Sequence, residues 1–201
     1  MTSITSPRAT ASAAPDLAVG VLVGSLRRTS FNRMVAQTLP ELAPQGMQIS
    51  LLPSIGQIPL YDQDLFDQGL PAPVQALAEA IGERRAVVIV TPEYNYSVPG
   101  ALKNALDWLS RLQPKPLSGK HVLLQSASMG ALGGVRGQYH LRQVLVALNA
   151  QVMNLPEVLI GNVDRKVDVA SGRLVDEASR GFIRQQLNAL AAYLQSQRAA
   201  L

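Results

Sequence analysis

The sequence predicts an α/β domain in which a parallel sheet of five strands carries helices on both faces. Short, nearly continuous apolar runs recur along the chain, and such runs are typical of strands buried on both faces of a parallel sheet. A segment with helical spacing follows each run, and this alternation indicates parallel strands joined by right-handed crossovers. The chain has 201 residues, 47% of them hydrophobic and 16% charged, which suits one globular domain.

The predicted strands are the apolar runs that contain few charges. They cover residues 17–23, 47–52, 86–91, 122–126 and 151–155. The clearest is the third, AVVIVT, because it is uncharged and mostly β-branched.

The predicted helices are segments whose apolar residues recur at helical spacing. They cover residues 31–42, 71–81, 99–112, 137–148 and 176–195. The third is the clearest, with Leu102, Ala105, Leu106 and Leu109 on one face. Residues 53–70 are expected to form a long connection between the second strand and the second helix.

Five strands in one domain favour the flavodoxin-like strand order 2-1-3-4-5. In such sheets a ligand binds beyond the carboxyl ends of the strands, at the switch point between strands 1 and 3. The candidate site therefore consists of loop 1 (residues 24–32), loop 2 (residues 92–100) and loop 3 (residues 126–136). Residues 1–16 are rich in Ser, Thr, Ala and Pro and predict a disordered tail, whereas residues 17–201 predict a single domain.

The composition excludes several classes of function. The chain has no cysteine, so disulfides, thiolate metal sites and cysteine nucleophiles are excluded, and two histidines are too few for a histidine-rich metal centre. No segment approaches the about 20 apolar residues of a membrane helix, and no secretory signal precedes the domain, so we expect a cytoplasmic protein. The net charge of +4 is scattered and the aromatic content is 4%, which argues against nucleic acid and suits small anions.

Loop 1 reads GSLRRTSFN and leads from a buried strand into a helix. It combines three hydroxyls, one amide and two guanidinium groups with the backbone N–H groups of a helix start, which favour phosphate. The alternative is that Thr29 or Ser30 only caps the helix. A cap accounts for one hydroxyl and neither arginine, so a phosphate site is the favoured interpretation.

Loops 2 and 3 leave more alternatives open. Loop 2 reads PEYNYSVPG, and its two tyrosines either frame a flat ring or cover the end of the sheet in an ordinary turn. Loop 3 reads SASMGALGGVR, and its small residues allow close approach to a ligand or form a flexible surface loop. Asp62 and Asp64 offer too few ligands for a metal ion.

These loops resemble the NADPH-dependent FMN reductase family, with the bacterial quinone and chromate reductases as near kin. The motifs that carry the resemblance are GSLRRTSFN at 24–32, IPLYDQDL at 58–65, PEYNYSVPGALKNALDW at 92–108 and SASMGALGGVRGQYHLR at 126–142. The resemblance extends from about residue 17 to residue 194, and each motif follows the expected strand.

The resemblance implies a flavodoxin-like fold and a tightly held FMN. Carried over by motif position, the cofactor-binding residues are Ser25, Arg27, Ser30, Phe31 and Asn32 in loop 1, Pro92, Glu93, Tyr94 and Asn95 in loop 2, and Ser128 and Gly130 in loop 3. All of the loop 1 residues except Phe31 are expected to hold the phosphate. The loop 2 residues line the isoalloxazine, and Ser128 and Gly130 flank the ring or the ribityl chain.

The resemblance also implies an oxidoreductase. The nicotinamide of NADPH or NADH delivers two electrons through FMN to a quinone, or to chromate, an azo dye or free flavin. This chemistry resides in the flavin, so no catalytic side chain is predicted. A flavodoxin-type electron carrier is the alternative, which the basic chain and the arginines of loop 1 disfavour.

An oligomer is expected as well. The helices at 99–112 and 137–148 carry apolar residues beyond one stripe, and such a surplus usually packs against a partner. Similar family members pair through these helices, and residues matching Arg136, Tyr139 and Glu157 form a second contact in tetrameric relatives. We therefore expect a homodimer or homotetramer, with Trp108 as an anchor in the core or in the seam between subunits.

Overall fold

The computed structural model describes residues 17–199, so the predicted tail at residues 1–16 lies outside the described residues. The strands are β1 (Leu17–Val23), β2 (Met47–Leu51), β3 (Ala86–Thr91), β4 (His121–Ala127), β5 (Gln151–Val152), β6 (Val158–Ile160), β7 (Val167–Asp168) and β8 (Arg173–Leu174). The α-helices are α1 (Phe31–Leu42), α2 (Gln63–Gln68), α3 (Ala72–Gly82), α4 (Gly100–Ser110), α5 (Val135–Ala147) and α6 (Glu177–Ala199).

The parallel sheet has the predicted order. β2, β1, β3, β4 and β5 are neighbours in that sequence, and every pair is parallel. One apolar layer packs α1 and α6 against the sheet, and a second packs α3, α4 and α5 against the opposite face. Because both faces are covered, β3 is buried along its whole length, which explains its uninterrupted apolar sequence.

The predicted fifth strand at residues 151–155 is wrong in its extent. The edge of the sheet is formed by two short strands, β5 beside the start of β4 and β6 beside its end. Pro156 lies between them and has no N–H to donate to a ladder. Its carbonyl oxygen instead accepts a hydrogen bond of 2.8 Å from the buried Gln186 side chain.

Residues 53–70 are more regular than a simple connection. They contain a 3₁₀ turn at Ile55–Gln57 and the short helix α2. Asp62 caps α2, because its carboxylate accepts a hydrogen bond of 2.9 Å from the Asp64 N–H. Asp62 therefore has a local structural role that its sequence context did not reveal.

Trp108 is a core residue, so its predicted position in a subunit seam is wrong. Its side chain is 0% exposed within the single chain. The Trp108 ring meets Tyr61 edge-on with centroids 5.1 Å apart, and its indole N–H donates 2.8 Å to the Pro59 carbonyl oxygen. Asn104 donates to the same carbonyl oxygen over 2.8 Å. The long connection after β2 thus covers the flank of α4 that the sequence pattern assigned to a partner.

The β7–β8 hairpin and the strand β6 have no counterpart in the sequence prediction. The hairpin is fixed to α1, because the buried Thr38 hydroxyl accepts a hydrogen bond of 3.0 Å from the Leu174 N–H. Arg173 pairs with Glu41 of α1 at 2.8 Å. These contacts join residues more than 130 positions apart in the chain, beyond the reach of local sequence patterns.

Candidate functional site

The three candidate loops begin side by side. They follow β1, β3 and β4, which are adjacent in the sheet and parallel, so their carboxyl ends reach the same edge. Gly24, at the start of loop 1, allows a close approach to β3, because a Cβ at that position would collide with the Thr91 side chain at the end of that strand. The predicted convergence of the loops is therefore present in the fold.

Asn32 joins loop 1 to loop 3. Its side-chain amide donates 2.9 Å to the Ala127 carbonyl oxygen and accepts 3.0 Å from the Ala127 N–H. The Asn32 side chain is only 3% exposed. This reciprocal pair satisfies both backbone groups at the last residue of β4, so Asn32 positions the two loops.

Loop 1 presents a helix N-terminus that its own side chains leave uncapped. Ser30 occupies the N-cap position of α1, yet its hydroxyl accepts no hydrogen bond from the helix. Ser30 and Ser25 are both buried. Arg27 is exposed and held across the loop, with Nε donating 3.0 Å to the Thr29 hydroxyl and the guanidinium 5.6 Å from the Phe31 ring centroid. A helix N-terminus whose N–H groups have no side-chain cap, and which has a cation beside it, favours the binding of an anion.

Loop 2 contains a tight turn with two exposed tyrosines. Tyr94 and Ser97 exchange backbone hydrogen bonds of 3.0 and 2.9 Å. Between them, Asn95 and Tyr96 both have positive φ, at 48° and 64°, as a type I′ turn requires. Of the two alternatives for this loop, the structure shows the turn, with both tyrosine side chains exposed at the carboxyl edge, and the framing of a flat ring stays a prediction.

Glu93 fixes loop 2 to the start of α5. Its carboxylate accepts a hydrogen bond of 3.0 Å from the Gly137 N–H, in the first turn of the helix, and the Arg136 guanidinium lies 3.8 Å away. A Cβ on Gly137 would come within 3.3 Å of Glu93, so glycine permits this close packing. A negative side chain at a helix N-terminus is stabilising, which gives Glu93 a positioning role beside its predicted contact with the cofactor.

Gly133 and Gly134 of loop 3 are required by packing within the chain. Gly133 and Gly134 have φ of 63° and 87°, a region that favours glycine. A Cβ on Gly133 would lie 2.8 Å from the backbone of β6. Ser128, which is half-buried, donates 3.0 Å to the carbonyl oxygen of the exposed Gly130. Loop 3 is thus packed on the broken edge of the sheet.

The family model of the NADPH-dependent FMN reductases matches residues 17–165. The chain belongs to this family. The quinone reductase of Escherichia coli is 56% identical over 180 residues, which are 89% of this chain and 96% of that protein. An NAD(P)H-dependent FMN reductase of Pseudomonas aeruginosa is 45% identical over 175 residues, 87% of this chain and 94% of that one.

Solved structures agree with this family and its fold. FerB, a flavoenzyme NAD(P)H:(acceptor) oxidoreductase from Paracoccus denitrificans, superimposes with a TM-score of 0.80 at 32% identity, over 90% of this chain and 98% of that chain. A flavodoxin from Pseudomonas aeruginosa superimposes with a TM-score of 0.55 at 14% identity, over 87% and 99% of the two chains, which supports the predicted flavodoxin-like fold. Among residues 17–199, no helix is both long and apolar enough to cross a membrane.

The residues of loop 1 fit the phosphate of FMN. The uncapped N-terminus of α1, the buried hydroxyl of Ser30 and the cation of Arg27 are the donors that a dianion requires. Asn32 differs from the other predicted phosphate ligands, because its amide is engaged with Ala127.

Sequence reasoning missed the contacts between loop 2 and α5. The Arg136 guanidinium lies 4.3 Å from the Tyr96 ring centroid, and His140 Nδ1 lies 3.0 Å from the Ser97 hydroxyl. Of the three residues expected at a second subunit contact, Tyr139 is 53% exposed and Glu157 pairs with Arg142 at 3.5 Å. Arg136, the third, faces Glu93 and loop 2 of its own chain.

Replacing Asn32 by aspartate is expected to destabilise the protein. The carboxylate of Asn32→Asp can still accept from the Ala127 N–H but cannot donate to the Ala127 carbonyl oxygen, so two acceptors face each other in a buried site. The free energy of unfolding should fall by about 1–3 kcal/mol, measured by urea denaturation. Asn188→Asp, on the exposed face of α6, is the matched control and should stay within about 0.5 kcal/mol of the parent. Equal stability of Asn32→Asp and the parent would contradict this role.

Proposed function

We propose that this protein is an FMN-dependent NAD(P)H oxidoreductase that passes two electrons to a quinone. The observation that carries the proposal is the uncapped α1 N-terminus of loop 1, with Ser30 buried beside it and Arg27 across it, at the edge where loops 2 and 3 also end. The relatives named as quinone reductases, and the Burkholderia relative named 2-hydroxy-1,4-benzoquinone reductase, support this class of acceptor.

In this proposal loop 1 binds the FMN phosphate. The backbone N–H groups at the start of α1 and the hydroxyls of Ser25 and Ser30 would donate to the phosphate oxygens of bound FMN. Arg27 supplies the countercharge from the solvent side. Phe31 orients the Arg27 guanidinium by contact with its ring, and Asn32 holds the loop in place through Ala127.

Loop 2 and loop 3 provide the walls for the isoalloxazine. Pro92, Glu93, Tyr94 and Asn95 follow the carboxyl end of β3, and the turn at Asn95 fixes the backbone that carries Tyr94. Ser128 and Gly130 line the opposite side, where the exposed Gly130 leaves the backbone accessible. Bound FMN supplies the two-electron chemistry, because it can be reduced by a nicotinamide and reoxidised by a quinone.

The protein's own residues then bind and orient the nicotinamide and the quinone. The exposed rings of Tyr94 and Tyr96 offer flat apolar surface for a nicotinamide of NADPH or NADH and, afterwards, for a quinone. Both reactants use one surface, so they bind in turn. The basic residues of loop 1, Arg27 and Arg28, favour the approach of an anionic nucleotide.

The proposal is tested by the absorbance spectrum of the purified protein. We expect flavin bands, release of FMN and not FAD on heating, bleaching on anaerobic addition of NADPH, and return of the bands on addition of a p-benzoquinone. The terminal phosphate site without a GxGxxG motif is the physical reason for FMN. Flavin that NADPH and NADH leave oxidised would instead identify an electron carrier, and a protein that binds no flavin would reject the proposal.

Removal of the Ser30 hydroxyl separates a cofactor role from a capping role. Because Ser30 makes no capping hydrogen bond, Ser30→Ala should leave the stability of the FMN-free protein within about 0.5 kcal/mol of the parent. FMN retention during dialysis should fall, since a hydrogen bond to a charged phosphate contributes about 1.5–3 kcal/mol, and Arg27→Ala combined with Ser30→Ala should lose more. Thr38→Ala is the contrasting variant, because the Thr38 hydroxyl bonds Leu174 and its loss should lower stability. Full FMN in the double variant would mean that loop 1 is assigned wrongly.

We propose further that the protein is at least a homodimer, and a homotetramer if the surface near Arg136 and Glu157 also pairs. Tyr139 and Val146 of α5 support this, because they are seven residues apart on one helix face and 53% and 75% exposed. Light scattering should give a mass of at least twice 21.5 kDa. Val146→Asp should lower that mass, whereas Val175→Asp, also on an exposed valine, should not. A monomeric parent protein would refute the assembly.

A further inference from the structure

A basic cavity lies at the end of the sheet opposite the three loops. Its volume is about 570 Å³, and its walls come from the end of α3 and the residues that lead into β3, from the residues that lead into β4 with the first residue of that strand, and from the last turns of α6. The strand β4 begins here at His121 and ends at Ala127 in the candidate site, a distance of roughly 20 Å at 3.3 Å per residue. A nucleotide bound at the flavin therefore does not account for this cavity.

Four basic side chains line the cavity: Arg84, Arg85, Lys120 and His121. One carboxylate faces them, that of Glu83, which is exposed and lies 3.4 Å from the Arg84 guanidinium. Because Arg84 already has this partner, the positive charge of Arg85 and Lys120 is left without a carboxylate among the residues that line the cavity. Gln197 of α6 adds an amide to the same wall.

Backbone groups at this end of the sheet hold the Lys120 side chain and the Arg85 main chain in place. The Lys120 ammonium donates to the carbonyl oxygens of Arg84 at 2.5 Å and Gly82 at 3.4 Å, which are left free at the end of α3. The N–H of Arg85 donates 2.8 Å to the Ala18 carbonyl oxygen of β1. The His121 ring meets the Tyr193 ring edge-on, with centroids 4.7 Å apart. The Lys120 ammonium is thus held in place before any ligand arrives, which lowers the entropic cost of binding at that position.

Burial and the closeness of these groups lower the pKa of two of them. Burial, with the neighbouring charge of Arg85 as the second cause, lowers the pKa of Lys120 below its ordinary value. The same two causes, in the same order, lower the pKa of His121. An anion in the cavity would relieve this repulsion and favour the charged forms of both side chains.

We propose that this cavity binds a small phosphate-bearing anion with two linked phosphoryl groups, such as pyrophosphate or the diphosphate of a nucleotide. The volume lies within the range of about 300–1,000 Å³ that is usual for small-molecule sites and exceeds the needs of a single phosphate. Arg84 and Arg85 carry the planar donor pattern that matches phosphate oxygens, and Lys120 supplies a point charge. The recessed form favours a small anion over a nucleic acid, which requires an extended basic track.

Calorimetry with inorganic pyrophosphate tests the proposal. The protein is used with FMN in excess, so that loop 1 is not the site of the anion, and titrated at low, constant ionic strength. Arg85→Gln should weaken pyrophosphate binding about tenfold, the effect of losing one charge-assisted hydrogen bond, and Arg85→Glu should weaken it further. Arg165→Gln removes the same charge from an exposed position elsewhere and is the matched control, expected to change binding less than twofold.

Further titrations distinguish a nucleotide ligand from free pyrophosphate. ADP that binds Arg85-dependently and more than tenfold tighter than pyrophosphate identifies a nucleotide ligand, whereas equal affinities identify the diphosphate alone. Because FMN content and NADPH-dependent bleaching are read in the same samples, loss of the proposed oxidoreductase function would be seen separately. Absence of pyrophosphate binding, equal binding by Arg85→Gln, or an equal loss in Arg165→Gln would overturn the proposal. Binding of a single-stranded oligonucleotide that depends on Arg85 and resists pyrophosphate would also overturn it.

Discussion

The two hydrogen bonds between Asn32 and Ala127 are the constraint on which the candidate site depends. One side chain satisfies both backbone groups at the end of β4, and it does so from the first turn of α1. Without that amide, a buried N–H and a buried carbonyl oxygen would lose their partners, at a cost of about 1–3 kcal/mol each. The N-terminus of α1 is therefore held at a fixed distance from the end of β4. The anion-binding N–H groups at the start of α1 are held with it.

The second wall of the site is fixed in a comparable way. Glu93 contacts the first turn of α5, and Gly137 lets the helix approach closely enough for that contact. Gly133 then allows loop 3 to pack on β6. Loop 1 is consequently held by β4, loop 2 by α5 and loop 3 by β6. The site therefore depends on the whole carboxyl edge of the sheet. These contacts hold the three loops in position through packing and hydrogen bonds.

The sequence was sufficient for the elements whose signal is local. The bounds of β1, β3 and α1 were predicted to the residue, because their apolar runs are long and turn residues end them. The split of the edge strand was predictable only in part, since Pro156 is visible in the sequence, whereas the Gln186 side chain that bonds its carbonyl oxygen lies 30 residues away. In the site, topology placed the three loops together, whereas the resemblance supplied a phosphate role for Asn32 and no local pattern revealed Ala127 as its partner.

Trp108 illustrates how apolar residues outside the core-facing stripe of a helix can be buried by the same chain. The indole lies outside the α4 stripe that faces the sheet, which favoured a partner chain, yet residues of the connection after β2 cover it and the Pro59 carbonyl oxygen accepts its N–H. A long connection of the same chain can bury such a flank without the entropic cost of association, so it takes precedence where it is available. The outer face of α5 at Tyr139 and Val146 differs, because both side chains remain exposed among the described residues. Extra apolar residues on a helix therefore indicate a partner chain only where no connection of the same chain covers them. By that criterion the exposed face of α5 still argues for assembly, whereas Trp108 does not.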